Sequence, residues 1–154
     1  MTHPEQVLAF DRTLAAPPAR LFDVLTEGRH LQAWFCDWAV SEPRAGGRLT
    51  LEWTRPGRSG LPFQATWTGF EPPLACAYEG GHAGYPPRSA ADSSGYAGRV
   101  EFRLDPKGAV GGACRLRVTH TLPARPDYEP IAEQYRAAWP RALARLADYL
   151  APRV

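Results

Sequence analysis

Tyr128–Leu150, YEPIAEQYRAAWPRALARLADYL, decides how the rest of the chain must be arranged. Ile131, Tyr135, Trp139, Leu143, Leu146 and Leu150 recur at three- and four-residue steps, which places them on one face of a helix. Glu133, Arg136, Arg141, Arg145 and Asp148 take the opposite face. A helix of this length runs roughly 35 Å, about the width of a small domain. Its apolar stripe needs a broad apolar surface to lie on, and the residues before it read as strands. Pro140 interrupts the stripe. It cannot donate to the carbonyl four residues back, so a kink is expected near Arg136. A core helix that tolerates a bend is the plain reading. The sharper one is a bent helix, gripped by a curved sheet, with room beneath it for a ligand.

Upstream of the helix the chain alternates. Gln6 to Leu14 sets Leu8, Phe10 and Leu14 on one side and Val7, Ala9 and Thr13 on the other. Arg12 shares parity with the larger set, either as a snorkelling edge residue or as a polar group aimed inward. Pro17 and Pro18 open a helix whose buried face is Leu21, Phe22 and Leu25, with Gly28 as its expected end. A second short helix, Arg29 to Trp34, presents Leu31 and Trp34. Asp37 to Glu42 then leads through Gly46 and Gly47 into Arg48 to Thr54, a hairpin by its turn residues. Phe63 to Glu71, Leu74 to Glu79, Arg99 to Leu104 and Cys114 to Leu122 complete the strands. Between Gly80 and Gly98 the periodicity dissolves, and a connection this long is expected to be either a functional cover or disordered. Strand, two helices, six strands and a long helix make an α+β fold: a curved seven-stranded antiparallel sheet wrapped around the C-terminal helix. No repeat or second domain is visible, so residues 1–154 read as one domain.

Composition narrows the function. With 44% apolar and 22% charged residues the chain is that of an ordinary globular protein. The net charge of +2 comes from arginines interspersed with acids, so no basic stripe recommends nucleic acid. No apolar run is long enough to span a membrane, and Glu5, Asp11 and Arg12 spoil a signal peptide, so the cytoplasm is the expected location. Cys36, Cys76 and Cys114 are odd in number and far apart, which argues for reduced, buried thiols. Without a Cys-x-x-Cys or a His-x-x-x-His pair, no metal site or cofactor is expected. Gly57 to Gly60 lacks the spacing of a nucleophile elbow, and Gly80 to Gly84 lacks the lysine and helix of a phosphate loop. Asp23 and Glu27, one helical turn apart, read as a solvated face.

Taken in order, these residues resemble the helix-grip fold of the START-like (SRPBCC) superfamily. Within it the chain looks like the branch named after the activator of the heat-shock chaperone ATPase. The likeness covers nearly the whole chain. It is carried by Ala16-Pro17 before Leu21 to Thr26, by Trp34-Phe35, Gly46-Gly47 and Gly69-Phe70-Glu71-Pro72-Pro73. Val100-Glu101-Phe102, Arg115 to His120, and Trp139 with Leu143, Leu146, Tyr149 and Leu150 complete it. The chain departs from the pattern in its long Gly80 to Gly98 connection and in Ala138, where a glycine often precedes the tryptophan. The resemblance implies a deep, largely apolar cavity for a hydrophobic small molecule, and it implies no catalytic residue. Its name also implies chaperone co-activation. That role depends on an additional N-terminal domain in the founding proteins, for which no room is expected before the first strand.

The candidate ligand-binding residues are Trp53, Trp67, Phe102, His120, Tyr135 and Trp139, all on faces expected to converge. Buried indole and phenol groups need partners, and a cavity supplies water or a ligand, although the same rings can simply fill a core. His120 shares parity with Leu116 and Val118 and so points inward, as a satisfied core residue or as a ligand contact. Binding of a lipid-like or aromatic molecule without catalysis is the leading expectation. A polyketide cyclase or dehydratase-like enzyme is the first alternative, and it needs a polar pair such as His120 with Arg12 or a tyrosine. A chaperone-associated co-regulator is the second. It needs an apolar outer sheet face, whereas Arg48, Glu52, Arg99, Glu101, Arg103, Arg115 and Arg117 make that face charged. The oligomeric state is not legible.

Overall fold

A computed structural model of the chain describes residues 4–53, 63–82, 96–106 and 112–152. The elements follow as β1 (Glu5–Leu14), α1 (Pro18–Thr26), α2 (Gly28–Trp34), β2 (Trp38–Ser41), β3 (Arg48–Glu52) and β4 (Phe63–Glu71). β5 (Ala75–His82), β6 (Tyr96–Asp105), β7 (Cys114–Pro123), a 3-10 turn (Pro126–Tyr128) and α3 (Glu129–Leu150) complete them. All seven strands form one antiparallel sheet in the order β1-β7-β6-β5-β4-β3-β2. This is the expected α+β helix-grip arrangement. Chain order and sheet order agree except for β1, which crosses over to pair with β7.

The parity of the strands is the parity of burial. Leu116, Val118, His120 and Leu122 of β7 are buried, and so are Val100, Phe102 and Leu104 of β6. On β4, Phe63, Ala65 and Trp67 face inward, and then the register shifts between Trp67 and Gly69. A bulged residue changes which side chains face the core. The shift lets Phe70 pack on Phe22 at 5.1 Å and on Trp67 at 5.8 Å, although its parity is opposite to that of Trp67. At the β2–β3 hairpin Gly46 takes a φ of 79°, and a Cβ on Gly47 would lie 2.0 Å from the Glu42 carbonyl oxygen. Only glycine fits there.

Two expectations are corrected. Gly28 does not end α1: Glu27 is its C-terminal cap, in an extended conformation, and Gly28 is the first residue of α2. Of the two readings of Arg12 the edge one holds, since it is exposed on the edge strand, opposite Leu116. Strand pairing also reaches further into the Gly80 to Gly98 stretch than its composition suggests, with Gly80 opposite Gly98 and Gly81 opposite Tyr96. The rest of that connection, and residues 54–62 and 107–111, lie outside the described residues.

The long helix runs continuously through Pro140 and buries Ile131, Ala132, Trp139, Ala142, Leu143, Leu146 and Leu150. Its N–H-less proline is exposed, on the side away from the sheet. Two hydrophobic clusters result. The larger joins α1, α2, the sheet and the helix from Trp139 onward. The smaller consists of Leu8, Leu122, Tyr128, Ile131 and Ala132. Phe10 and Tyr135 pack against both. Outside, Asp11 lies 3.6 Å from Arg115 and 3.8 Å from Arg117, and Glu101 lies 3.6 Å from Arg99 and 2.8 Å from Arg103. The outer sheet face is charged, as expected. No described helix is long and apolar enough to cross a membrane.

Candidate functional site

His120 occupies the seam between the two clusters, since Val118 belongs to the larger and Leu122 to the smaller. It is 3% exposed. The Trp139 indole N–H donates to its Nδ1 at 3.0 Å. An indole can only donate, so Nδ1 must be an acceptor and the neutral imidazole carries its proton on Nε2. The Tyr135 ring lies against it, with centroids 4.2 Å apart. Nε2 faces the backbone of Gly98, where φ is 116° and a Cβ would come within 3.0 Å of it. β6 therefore needs a glycine at this point.

Of the six residues expected to converge, Phe102, His120, Tyr135 and Trp139 form one contiguous group, with Phe102 and Trp139 edge to face at 6.0 Å. Among the described residues, Trp53 and Trp67 join it through rings outside the expected six. Phe35 stacks on Trp139 at 5.6 Å and meets Trp53 edge-on at 5.4 Å. Tyr78 lies 6.2 Å from Phe102 and 5.7 Å from Trp67. Its signal was the alternation of Cys76 and Tyr78 in β5, opposite Phe102 and Val100 in β6. Phe35 follows the last turn of α2, where no period applies, and nothing local marks its role.

The indoles are satisfied. Trp34 donates to the Val24 carbonyl at 3.0 Å, and Trp53 to the Phe35 carbonyl at 2.7 Å. Trp67, fully enclosed, donates to the Ser41 hydroxyl at 3.1 Å. Ser41 in turn donates to the Thr26 carbonyl. Trp67 is thus committed to holding β4 against β2 and α1.

Tyr78 is 3% exposed and packs among Phe63, Trp67 and Phe102. Among the described residues no sealed polar side-chain atom is left without a partner. Burial, helped by the neighbouring Tyr135, Cys76 and Cys36, pushes the ionisation of Tyr78 well above the ordinary tyrosine value. It stays a neutral donor. Burial likewise pushes the Cys36 thiol up to about 11, and its Sγ donates to the Trp38 carbonyl at 3.2 Å. Among the described residues no group of three His, Cys, Asp or Glu could hold a metal ion.

The aromatic run reaches the surface at a cleft of about 440 Å³ between α2, the end of β3 and α3. Trp34, Phe35, Cys36, Trp53 and Ala138 line it, with Arg141 and Arg145 on the helix side. Arg145 Nε donates to the Trp34 carbonyl at 3.0 Å, and Tyr149 shares a 2.7 Å hydrogen bond with His30 Nδ1, so α2 is fastened to α3 beside the cleft. A second hollow of about 430 Å³ lies over β4, β5 and β6, where Glu101 pairs with Arg99 and Arg103 and Glu71 is a second acid.

Residues 15–151 match the family described as Activator of Hsp90 ATPase homolog 1-like protein. Among solved structures, a Rhodobacter sphaeroides protein is 22% identical with a TM-score of 0.74, over 94% of this chain and 91% of that one. The Aha1 dimer of Colwellia psychrerythraea is 20% identical with a TM-score of 0.68, over 94% and 96%. DynU16, a protein in the dynemicin biosynthetic locus, is 20% identical with a TM-score of 0.72, over 96% of this chain but only 48% of its own length. At these identities the likeness is one of fold. No curated protein matches the chain.

Proposed function

This chain belongs to the Activator of Hsp90 ATPase homolog 1-like family of the START-like superfamily, and on that premise we propose that it binds a hydrophobic small molecule between its sheet and α3. The site comprises Trp53, Phe102, His120, Tyr135 and Trp139, with Phe35 and Tyr78 joining them and Trp67 closing the far wall. The observation that carries this reading is the aromatic run from Phe102 and Trp139 through Phe35 to Trp53, which opens at the 440 Å³ cleft. Its rings would hold an aromatic or lipid-like body. Native mass spectrometry of freshly purified protein tests the reading, paired with titration of N-phenyl-1-naphthylamine, a neutral apolar probe. A co-purifying small molecule, or saturable probe binding weakened in Trp139→Ala, supports it. Absence of both defeats it.

The polyketide cyclase or dehydratase-like alternative draws on one further observation, the contact of His120 with Tyr135, together with the likeness to a protein in the dynemicin biosynthetic locus. A neutral imidazole fixed at Nδ1 beside a phenol is an arrangement suited to proton transfer. His120→Ala that keeps probe binding but abolishes turnover of a poly-β-ketone would favour it. The chaperone-associated alternative draws support from the family alone, because the outer sheet face is charged.

A further inference from the structure

We propose that the ligand is an anionic amphiphile, an aromatic or aliphatic carboxylate or sulfonate, whose charged end is held by Arg141 at the mouth of the 440 Å³ cleft. This rests on the reading that the chain binds an apolar molecule there. The cleft has two unlike walls. One is aromatic, Trp34, Phe35 and Trp53, and continues inward through Trp139. The other carries Arg141 and Arg145, one turn apart on α3 and therefore on one face. Most other described arginines sit beside an acid: Arg99 and Arg103 with Glu101, Arg115 and Arg117 with Asp11, Arg125 with Asp127, Arg136 with Glu133. Arg141 and Arg145 have no ion pair among the described residues.

Arg145 is anchored through Nε to the Trp34 carbonyl, which fixes its guanidinium plane and leaves the rest of its fork uncommitted among the described residues. Arg141 makes no such bond and is the group free to reach an anion. Asp37, the one acid of the lining, has an interaction of its own, so the wall sets two guanidinium groups against one carboxylate. A charge beside apolar walls is screened less than one in open water, which strengthens its hold on a bound anion. Guanidinium also offers a planar fork that matches carboxylate geometry. The hollow on the outer face has Arg99 and Arg103 too, but both pair with Glu101 and a second acid, Glu71, lines it.

Two probes of similar aromatic body separate charge from apolar binding: 8-anilinonaphthalene-1-sulfonate, an anion, and neutral N-phenyl-1-naphthylamine. Each is titrated into the unaltered chain, Arg141→Gln and Arg141→Lys. Arg141→Gln is expected to weaken the sulfonate about tenfold, the size of one lost charge-assisted hydrogen bond, and the neutral probe less than about twofold. Arg141→Lys should restore part of the sulfonate affinity, and raising the salt should weaken the sulfonate alone. Equal effects on both probes, no effect of Arg141→Gln, or binding of the neutral probe without the sulfonate overturns the anion assignment and leaves apolar binding standing. Failure of both probes to bind the unaltered chain overturns both readings.

Discussion

The interior at the N-terminal end of α3 and the interior along the rest of that helix are built differently. The first is a small cluster, Leu8, Leu122, Tyr128, Ile131 and Ala132, made by the edge strand, its partner and the helix start. The second is large and rich in rings, and it runs out to a surface cleft through Phe35 and Trp53. The small cluster is mostly aliphatic. The large one is built of rings that meet face and edge, and the buried histidine lies where the two meet. The helix start is secured by aliphatic packing, and the proposed ligand contact falls to the aromatic portion.

Truncation should expose that contrast most strongly. Trp67→Ala in the large cluster is expected to cost about 3–5 kcal/mol in urea unfolding, and Ile131→Ala about 2–3 kcal/mol. Ile131→Ala should also speed hydrogen exchange only around residues 126–135, whereas Trp67→Ala should speed it throughout the sheet. Indistinguishable exchange patterns would erase the distinction. At the seam, Trp139→Phe removes the donor to His120 Nδ1 and leaves that nitrogen buried, at a cost of about 1–3 kcal/mol. Adding His120→Leu should cost less than the two single changes together, with a coupling near 1 kcal/mol in the double-mutant cycle. Strict additivity would mean that the bond adds nothing to stability.

Alkaline titration separates the clusters next, because Tyr78, Cys36 and Cys76 all belong to the large one. Burial raises all three, Cys36 to about 11. The unfolded chain releases these protons from about pH 9 upward while the native chain retains them, so the unfolded state binds fewer protons and stability falls with rising pH. That contribution is complete below about pH 9 and is lost as pH climbs through the raised native values. A decline of about 1–2 kcal/mol between pH 9 and 10.5 is expected in chemical unfolding. Cys36→Ala should flatten it, and a flat profile in the unaltered chain would contradict the buried-thiol account.

Pro140→Ala should have the smallest effect on stability. It restores a helical hydrogen bond, but any straightening of α3 would press Tyr135 and Trp139 toward the strands, and the two effects should cancel to within about 1 kcal/mol. Binding of the neutral naphthylamine probe should weaken. A clearly higher melting temperature with unaltered probe affinity would show that the proline has no part in the cavity.

The element order and the sheet were legible because period two and period three-to-four patterns are strong in this chain: Leu116, Val118, His120 and Leu122 announce β7, and Ile131 to Leu150 announce α3. Boundaries failed where a residue type has two uses, as at Gly28, which suits a helix end but here begins α2. The grouping of Phe102, His120, Tyr135 and Trp139 followed from parity. The rings that connect them did not. Phe35 is placed by the path of the chain after α2, and Phe70 by a bulge, neither of which leaves a period in the sequence. Arg141 read as part of a solvated face, since a stripe says which side of a helix is wet but not what stands opposite it.

The crossover of β1 has a consequence for how the molecule is made. Gln6 Nε2 donates to the Pro123 carbonyl across 117 residues of chain, and Ala124 N–H donates to the Pro4 carbonyl beside it. Closing so large a loop costs entropy before any contact repays it, and folds rich in such pairings assemble slowly. During synthesis β1 leaves the ribosome well before β7, so the strand waits without its partner. An unpaired strand invites pairing with other chains. Asp11 and Arg12, side by side in its second half, put opposite charges on both faces of that waiting edge, where they act as gatekeepers against aggregation before they are of any use to the finished sheet.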